Sequence, residues 1–168
     1  MFEVLEEAHM PANIRDDAFI EQLARSIHED YVAKNAGGPQ QNPAAVPWED
    51  LSDDLRQANV AQAMSIGAKL ETIRAVPVPQ SANVPAFHFT DEEIEELAEQ
   101  EHERWMGERI ARGWSYGATR DNARKLHPSL ISWADLPEDE RKKDRDAIRA
   151  IPGILRDAGY QIRRLPDP

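Results

Sequence analysis

The strongest constraint on this chain is that it repeats itself. Residues 20–31 recur as residues 94–105, an offset of 74, with six of twelve positions identical. The shared residues are Ile20/Ile94, Glu21/Glu95, Leu23/Leu97, Ala24/Ala98, His28/His102 and Glu29/Glu103, and each copy closes on an aromatic, Tyr31 or Trp105. A second block recurs at an offset of 85: Trp48, Asp50, Leu51, Arg56, Ile66 and Leu70 return as Trp133, Asp135, Leu136, Arg141, Ile151 and Leu155. The offsets differ by 11, so the second copy carries an 11-residue insertion between its blocks. An internal duplication sets the architecture ahead of local propensity. It predicts two similar units with a cleft between them.

Charge and composition remove several classes of function. The 168 residues suffice for one sizeable core or two small packed units. They hold 20 basic against 31 acidic side chains, a formal charge of −11 that repels a phosphate backbone and argues against a nucleic-acid polymer as partner. With no cysteine there is no disulfide, thiol nucleophile or cysteine metal knuckle. No apolar run approaches the roughly 20 residues needed to span a bilayer, and the start of the chain lacks the positive region of a signal peptide. A soluble, cytoplasmic protein without membrane insertion is expected.

Periodicity and punctuation give the elements. Residues 1–15 read as a leader, broken by Pro11. A first repeat, 16–75, opens with a helix over 16–34 whose Ile20, Leu23, Ala24, Ile27 and Tyr31 share a face. Gly37-Gly38-Pro39 ends it, a loop runs to Pro47, and a second helix is predicted over 52–73 with Ser52 as N-cap. Three prolines between Val76 and Pro85 predict an extended linker over 76–89, in which Phe87-His88-Phe89 could form a strand. A second repeat, 90–165, opens with a capping box from Thr90 and Glu93, and its first helix ends at Gly113. Pro137 suits the first turn of the last helix, which is expected to kink or restart at Pro152-Gly153. Tyr160-Gln161-Ile162-Arg163 could then pair with Phe87-His88-Phe89.

Few residues suggest chemistry. His28-Glu29 and His102-Glu103 lack the second histidine four positions on that a zinc protease needs, since Val32 and Met106 stand there. Each histidine is either a buried residue bonded to the facing loop or a ligand contact at the mouth of the cleft. Glu29 with Arg56 and Glu103 with Arg141 suggest an ion pair joining the helices of each copy. The insertion, from Gly113 through Trp114, Tyr116, Arg120, Arg124 and Lys125 to His127-Pro128, sets aromatics beside basic residues. That composition suits plane stacking and anion contact, or simply pins the loop to the core. His127 reads as loop closure. Arg109 lies one helical turn beyond Trp105, placed to meet a phosphate or to stack. No nucleophile elbow, phosphate loop, dinucleotide fingerprint or metal-spaced carboxylate set is present, so no catalytic residue, cofactor or metal is expected.

Several of these motifs together resemble the ryanodine-receptor repeat, the RyR domain. They are Leu97-Ala98 with His102-Glu103 and Trp105, Gly113-Trp114-Ser115-Tyr116-Gly117, Asp121, His127-Pro128-Ser129-Leu130, Trp133-Ala134-Asp135-Leu136-Pro137 and Gly159-Tyr160-Gln161-Ile162. Residues 16–75 resemble a shorter, diverged copy that keeps Leu23-Ala24, His28-Glu29, Tyr31 and Val46-Pro47-Trp48-Glu49-Asp50-Leu51 but lacks the insertion. The resemblance implies a mainly α-helical, non-enzymatic module of two pseudo-symmetric repeats with short strands. It also implies an adenine nucleotide held in the cleft between tandem copies, as in the animal channels, or sensing of nucleotide-derived signals, as in bacterial versions, with Tyr31 and Trp105 facing each other. The expected ligand-binding set is therefore Tyr31, Trp105, Arg109, Trp114, Tyr116, His28 and His102. The alternative is a protein-interaction or assembly module, whose partner is another domain or a second copy of the chain.

Overall fold

The computed structural model describes residues 17–35 and 44–168. The expected leader and the Gly37-Gly38-Pro39 helix stop lie outside these residues. The protein is mainly helical, and both sheets among the described residues have two strands. Two compact units emerge: the described residues up to Phe87 together with Ala150–Pro168 form one, and His88–Arg149 the other. The end of the chain thus groups with the first unit rather than closing the second at residue 165.

In the first unit, helix α1 (Asp17–Lys34) packs along α2 (Asp53–Met64) and against a short 3-10 turn, Trp48–Asp50. The buried stripe of α1 is Phe19, Leu23, Ala24, Ile27 and His28. It is turned slightly from the expected face: Phe19 takes the place given to Ile20, and Tyr31 lies at the margin, 38% exposed. Ser52 caps α2 as expected, its hydroxyl accepting from the Leu55 amide. The single helix expected over 52–73 is instead α2 and α3 (Ile66–Thr72), parted at Ser65. The Ser65 hydroxyl donates to the Gln62 carbonyl at 2.6 Å, a local bond that competes with a continuous helix.

The expected linker also needs correction. Residues Ala75–Pro79 form strand β1, with Ala75, Val76 and Pro77 buried, and β1 pairs antiparallel with the C-terminal strand β4 (Tyr160–Arg164). Residues 87–89 form no strand, so β4 does not pair there. Prolines at alternate positions leave Val76 and Val78 as the donors of β1, enough for a two-stranded ribbon. Tyr160 and Ile162 face inward, and Tyr160 meets Phe19 edge-on at 4.9 Å between ring centres.

The second unit opens with α4 (Asp91–Ala111), which begins as expected: the Thr90 hydroxyl accepts from the Glu93 amide at 3.2 Å, and Glu93 accepts from the Thr90 amide at 2.9 Å. After the insertion, a second 3-10 turn (Trp133–Asp135) leads through Pro137 into α5 (Glu138–Asp157). Helix α5 runs through Pro152 without restarting, with Ile148, Ile151, Ile154 and Leu155 buried along it. It ends short of Gly159, whose φ of +86° suits glycine alone among common residues. No described helix is long and apolar enough to cross a membrane.

Candidate functional site: an arginine between two tryptophans

The end of α4 builds the site. Its C-cap is Arg112, and Gly113 follows with φ +87°. The Gly113 amide donates to the Ile110 carbonyl at 3.0 Å, and the Trp114 amide reaches back to the Arg109 carbonyl at 3.0 Å. That pair of bonds is a Schellman motif, which lays the second residue past the cap over the third-last residue of the helix. Trp114 is therefore folded onto Arg109, while Trp105 lies one turn earlier on the same helix face. The Arg109 guanidinium carbon sits 5.3 Å from the Trp114 ring and 5.9 Å from that of Trp105. Among the described residues its N–H groups have no hydrogen-bond partner. Burial, with Arg112 and Arg120 nearby, holds its pKa below the ordinary arginine value against the pull of Glu108.

The insertion is folded tightly against this helix end. Strands β2 (Ser115–Tyr116) and β3 (Leu126–His127) pair in parallel, and Asp121 bridges to Leu126 with bonds of 3.0 and 2.8 Å. Gly117 is required by contact rather than by backbone angle, because a β-carbon there would lie 2.7 Å from that of Leu126. Lys125 donates to the Arg112 carbonyl at 2.8 Å, a further tie to the helix end. The register brings His127 against both tryptophans, 5.0 Å from Trp105 and 6.4 Å from Trp114, edge to face. From Arg109 to His127 the chain holds five basic residues and one acidic one, so this surface is cationic in an acidic protein.

The motif pattern that organises this surface is shared. A family model, the RyR domain, matches residues 78–164, just over half of the 168-residue chain. The chain belongs to the RyR domain family. The match contains α4 with Trp105, the insertion with Trp114, α5 and β4.

Within this RyR domain protein the remaining expected site residues fall in different places. His28 and His102 are buried, 3% and 2% exposed, which removes them from any ligand surface. The His28 Nε2 lies 2.6 Å from the Val46 carbonyl and the His102 Nε2 lies 2.7 Å from that of Ile131. A carbonyl only accepts, so Nε2 carries the proton in both. Each ring supports the aromatic three residues on: Tyr31 stacks on His28 at 6.5 Å and Trp105 on His102 at 5.8 Å. Tyr31 belongs to the first unit, at the margin of α1. Tyr116 is 57% exposed and touches neither tryptophan ring.

The expected ion pairs are not made. Glu29 and Glu103 are exposed, because the position after a buried histidine points about 100° away around the helix. Arg56 instead donates to the carbonyls of Trp48 (3.2 Å) and Glu49 (2.7 Å), and Arg141 to that of Ala134 (2.7 Å). The arginines thus tie down the ends of the 3-10 turns.

Sequence inspection missed three features. His127 reads as loop closure because its two partners are brought to it only by the Schellman turn and the β2–β3 register. Asp144 lies on α5 with its Oδ2 3.7 Å from the His102 Nδ1, and its carboxyl is pushed up to about 7, chiefly by burial and then by Glu101 and Glu140. Finally, a groove of about 740 Å³ in the first unit is lined by residues including Phe19, Leu23, Val60, Met64 and Leu155. Its arginines are already engaged, Arg25 by Glu21 and Glu49, and Arg56 by the turn carbonyls. Both of these arginines are therefore already committed, and the Arg109 cluster is the better candidate for an anion.

Proposed function

We propose that this protein is a non-enzymatic, cytoplasmic ligand sensor that binds a planar anion of the nucleotide type at Trp105, Arg109 and Trp114. One observation carries this: a half-buried guanidinium with no hydrogen-bond partner among the described residues is held between two indole rings. An arginine so placed is preorganised, because stacking fixes its plane while its donors stay available to an anion. An indole face beside it can stack a base, a contact worth about 1–3 kcal/mol. We further take the two units to be diverged copies of one repeat. The matched His28–Val46 and His102–Ile131 bonds, each beside an aromatic three residues on and a buried tryptophan, support that descent.

A thermal-shift screen with mononucleotides, cyclic nucleotides and ADP-ribose tests the proposal. A shift that vanishes in Arg109→Gln and Trp105→Ala is the expected result. A second reading is docking of another protein, which the exposure of Ile110 (56%) and Tyr116 (57%) on the same helix end and loop favours. Absence of any shift, together with concentration-dependent self-association lost in Ile110→Glu, would select that reading instead.

A further inference from the structure

We propose that His127 is the specificity-determining donor of the Arg109 site, and that it selects ligands presenting a phosphate-type oxyanion; this rests on the site proposed above. The tautomer is set by the backbone. The Ser129 amide donates to the His127 Nδ1 at 3.0 Å, so Nδ1 is an acceptor and the proton of the neutral ring sits on Nε2. That Nε2–H has no hydrogen-bond partner among the described residues. Ser129 is itself held, 8% exposed, with its hydroxyl 3.3 Å from the Glu140 carboxylate. The ring is packed against Trp105 and Trp114, so its orientation is fixed from both sides.

The surroundings of the ring hold its pKa below the ordinary histidine value. Burial comes first, then Arg120 from the loop and Arg109 from α4, with Lys143 of α5 acting in the same direction; Glu140 of α5 alone opposes them. Protonation at Nδ1 would also break the bond from Ser129. The result is a neutral donor beside a cationic fork, with only N–H groups on offer. An acceptor-only group with several oxygens meets this set, and a tetrahedral oxyanion can engage Arg109 and His127 together in a way that a planar carboxylate, with two oxygens, does less well.

Sulfate is the probe, because it stays a dianion across the working range and cannot carry protons into the measurement. Nitrogen-15 spectra of the histidine rings in the full chain report the His127 tautomer directly. The expected result is that sulfate moves the His127 Nε2 resonance while Nδ1 remains unprotonated at pH 8, with no net proton uptake by calorimetry at that pH. His127→Ala should weaken sulfate about tenfold, and His127→Gln, which keeps an N–H donor, about threefold or less. An imidazolium signature on binding, acetate binding as tightly as sulfate, or an unmoved His127 while AMP perturbs the Trp105 and Trp114 indoles would each overturn the inference and leave the Arg109 site standing. Silence of all three rings towards both sulfate and AMP would remove the site itself.

Discussion

Arg56 and Arg141 show at the residue scale what a repeated side chain does and does not reveal. Their recurrence marks a structural task, yet the partner suggested by sequence, the glutamate after each histidine, is the wrong one. Position on a helix decides it: the histidine is inward, so its neighbour is outward. Glu103→Ala should therefore change stability by no more than about 0.5 kcal/mol, whereas Arg141→Ala should cost about 1–2 kcal/mol by releasing a turn carbonyl. Urea unfolding of the two variants separates these outcomes, and equal losses would revive the ion pair. Thr90, in contrast, was legible because a capping box is local, with both partners three residues apart. Thr90→Ala should lose about 1 kcal/mol in the same assay. His127 was not legible as a site residue, since no local pattern foretells which aromatic a loop will bring beside it.

The helices were readable as elements, while their partners were less so. Proline density made β1 look like a linker, and only the buried run Ala75–Val76–Pro77 and its register with β4 show otherwise. Because Ile162 is 2% exposed in that ribbon, Ile162→Ala should cost about 2–4 kcal/mol, in the range of a core truncation. The helix pairs also differ in character. At positions offset by 74 or 85, Ile27, Leu55, Asn59 and Val60 correspond to Glu101, Glu140, Asp144 and Arg145. In the second unit Arg104 grips the buried Glu101 through two bonds of 2.9 and 2.7 Å, and Arg145 reaches Glu95 at 2.7 Å. Asp144 is partly buried beside two of these carboxylates, Glu101 and Glu140. Its carboxyl, raised to about 7 from 3.8, binds its proton more tightly folded than unfolded. Its stabilising contribution is thus complete below about pH 4 and lost as pH rises through about 7, a change on the order of 1–3 kcal/mol. Asp144→Asn should be more stable than the native chain at pH 8 and lose most of that advantage at pH 5. Parallel pH dependence of the two proteins in denaturant melts would contradict this.

At the scale of the molecule, a net charge of −11 conceals a cationic surface built by one helix end and one insertion. The motifs announced the RyR family, but the division of the chain follows the pairing of β4 with β1, a contact between residues more than 80 apart. Arg109, held between Trp105 and Trp114, is proposed as an anion-binding group and not merely a packed side chain. Calorimetric titration of AMP into the full chain and into Arg109→Gln tests it most directly. Saturable binding to the native chain is expected, weakened about tenfold or more in the variant, a loss of at least ~1.4 kcal/mol, with thermal stability nearly unchanged. Equal affinity in the two proteins, or a variant that unfolds without any binding ever seen in the native chain, would contradict it.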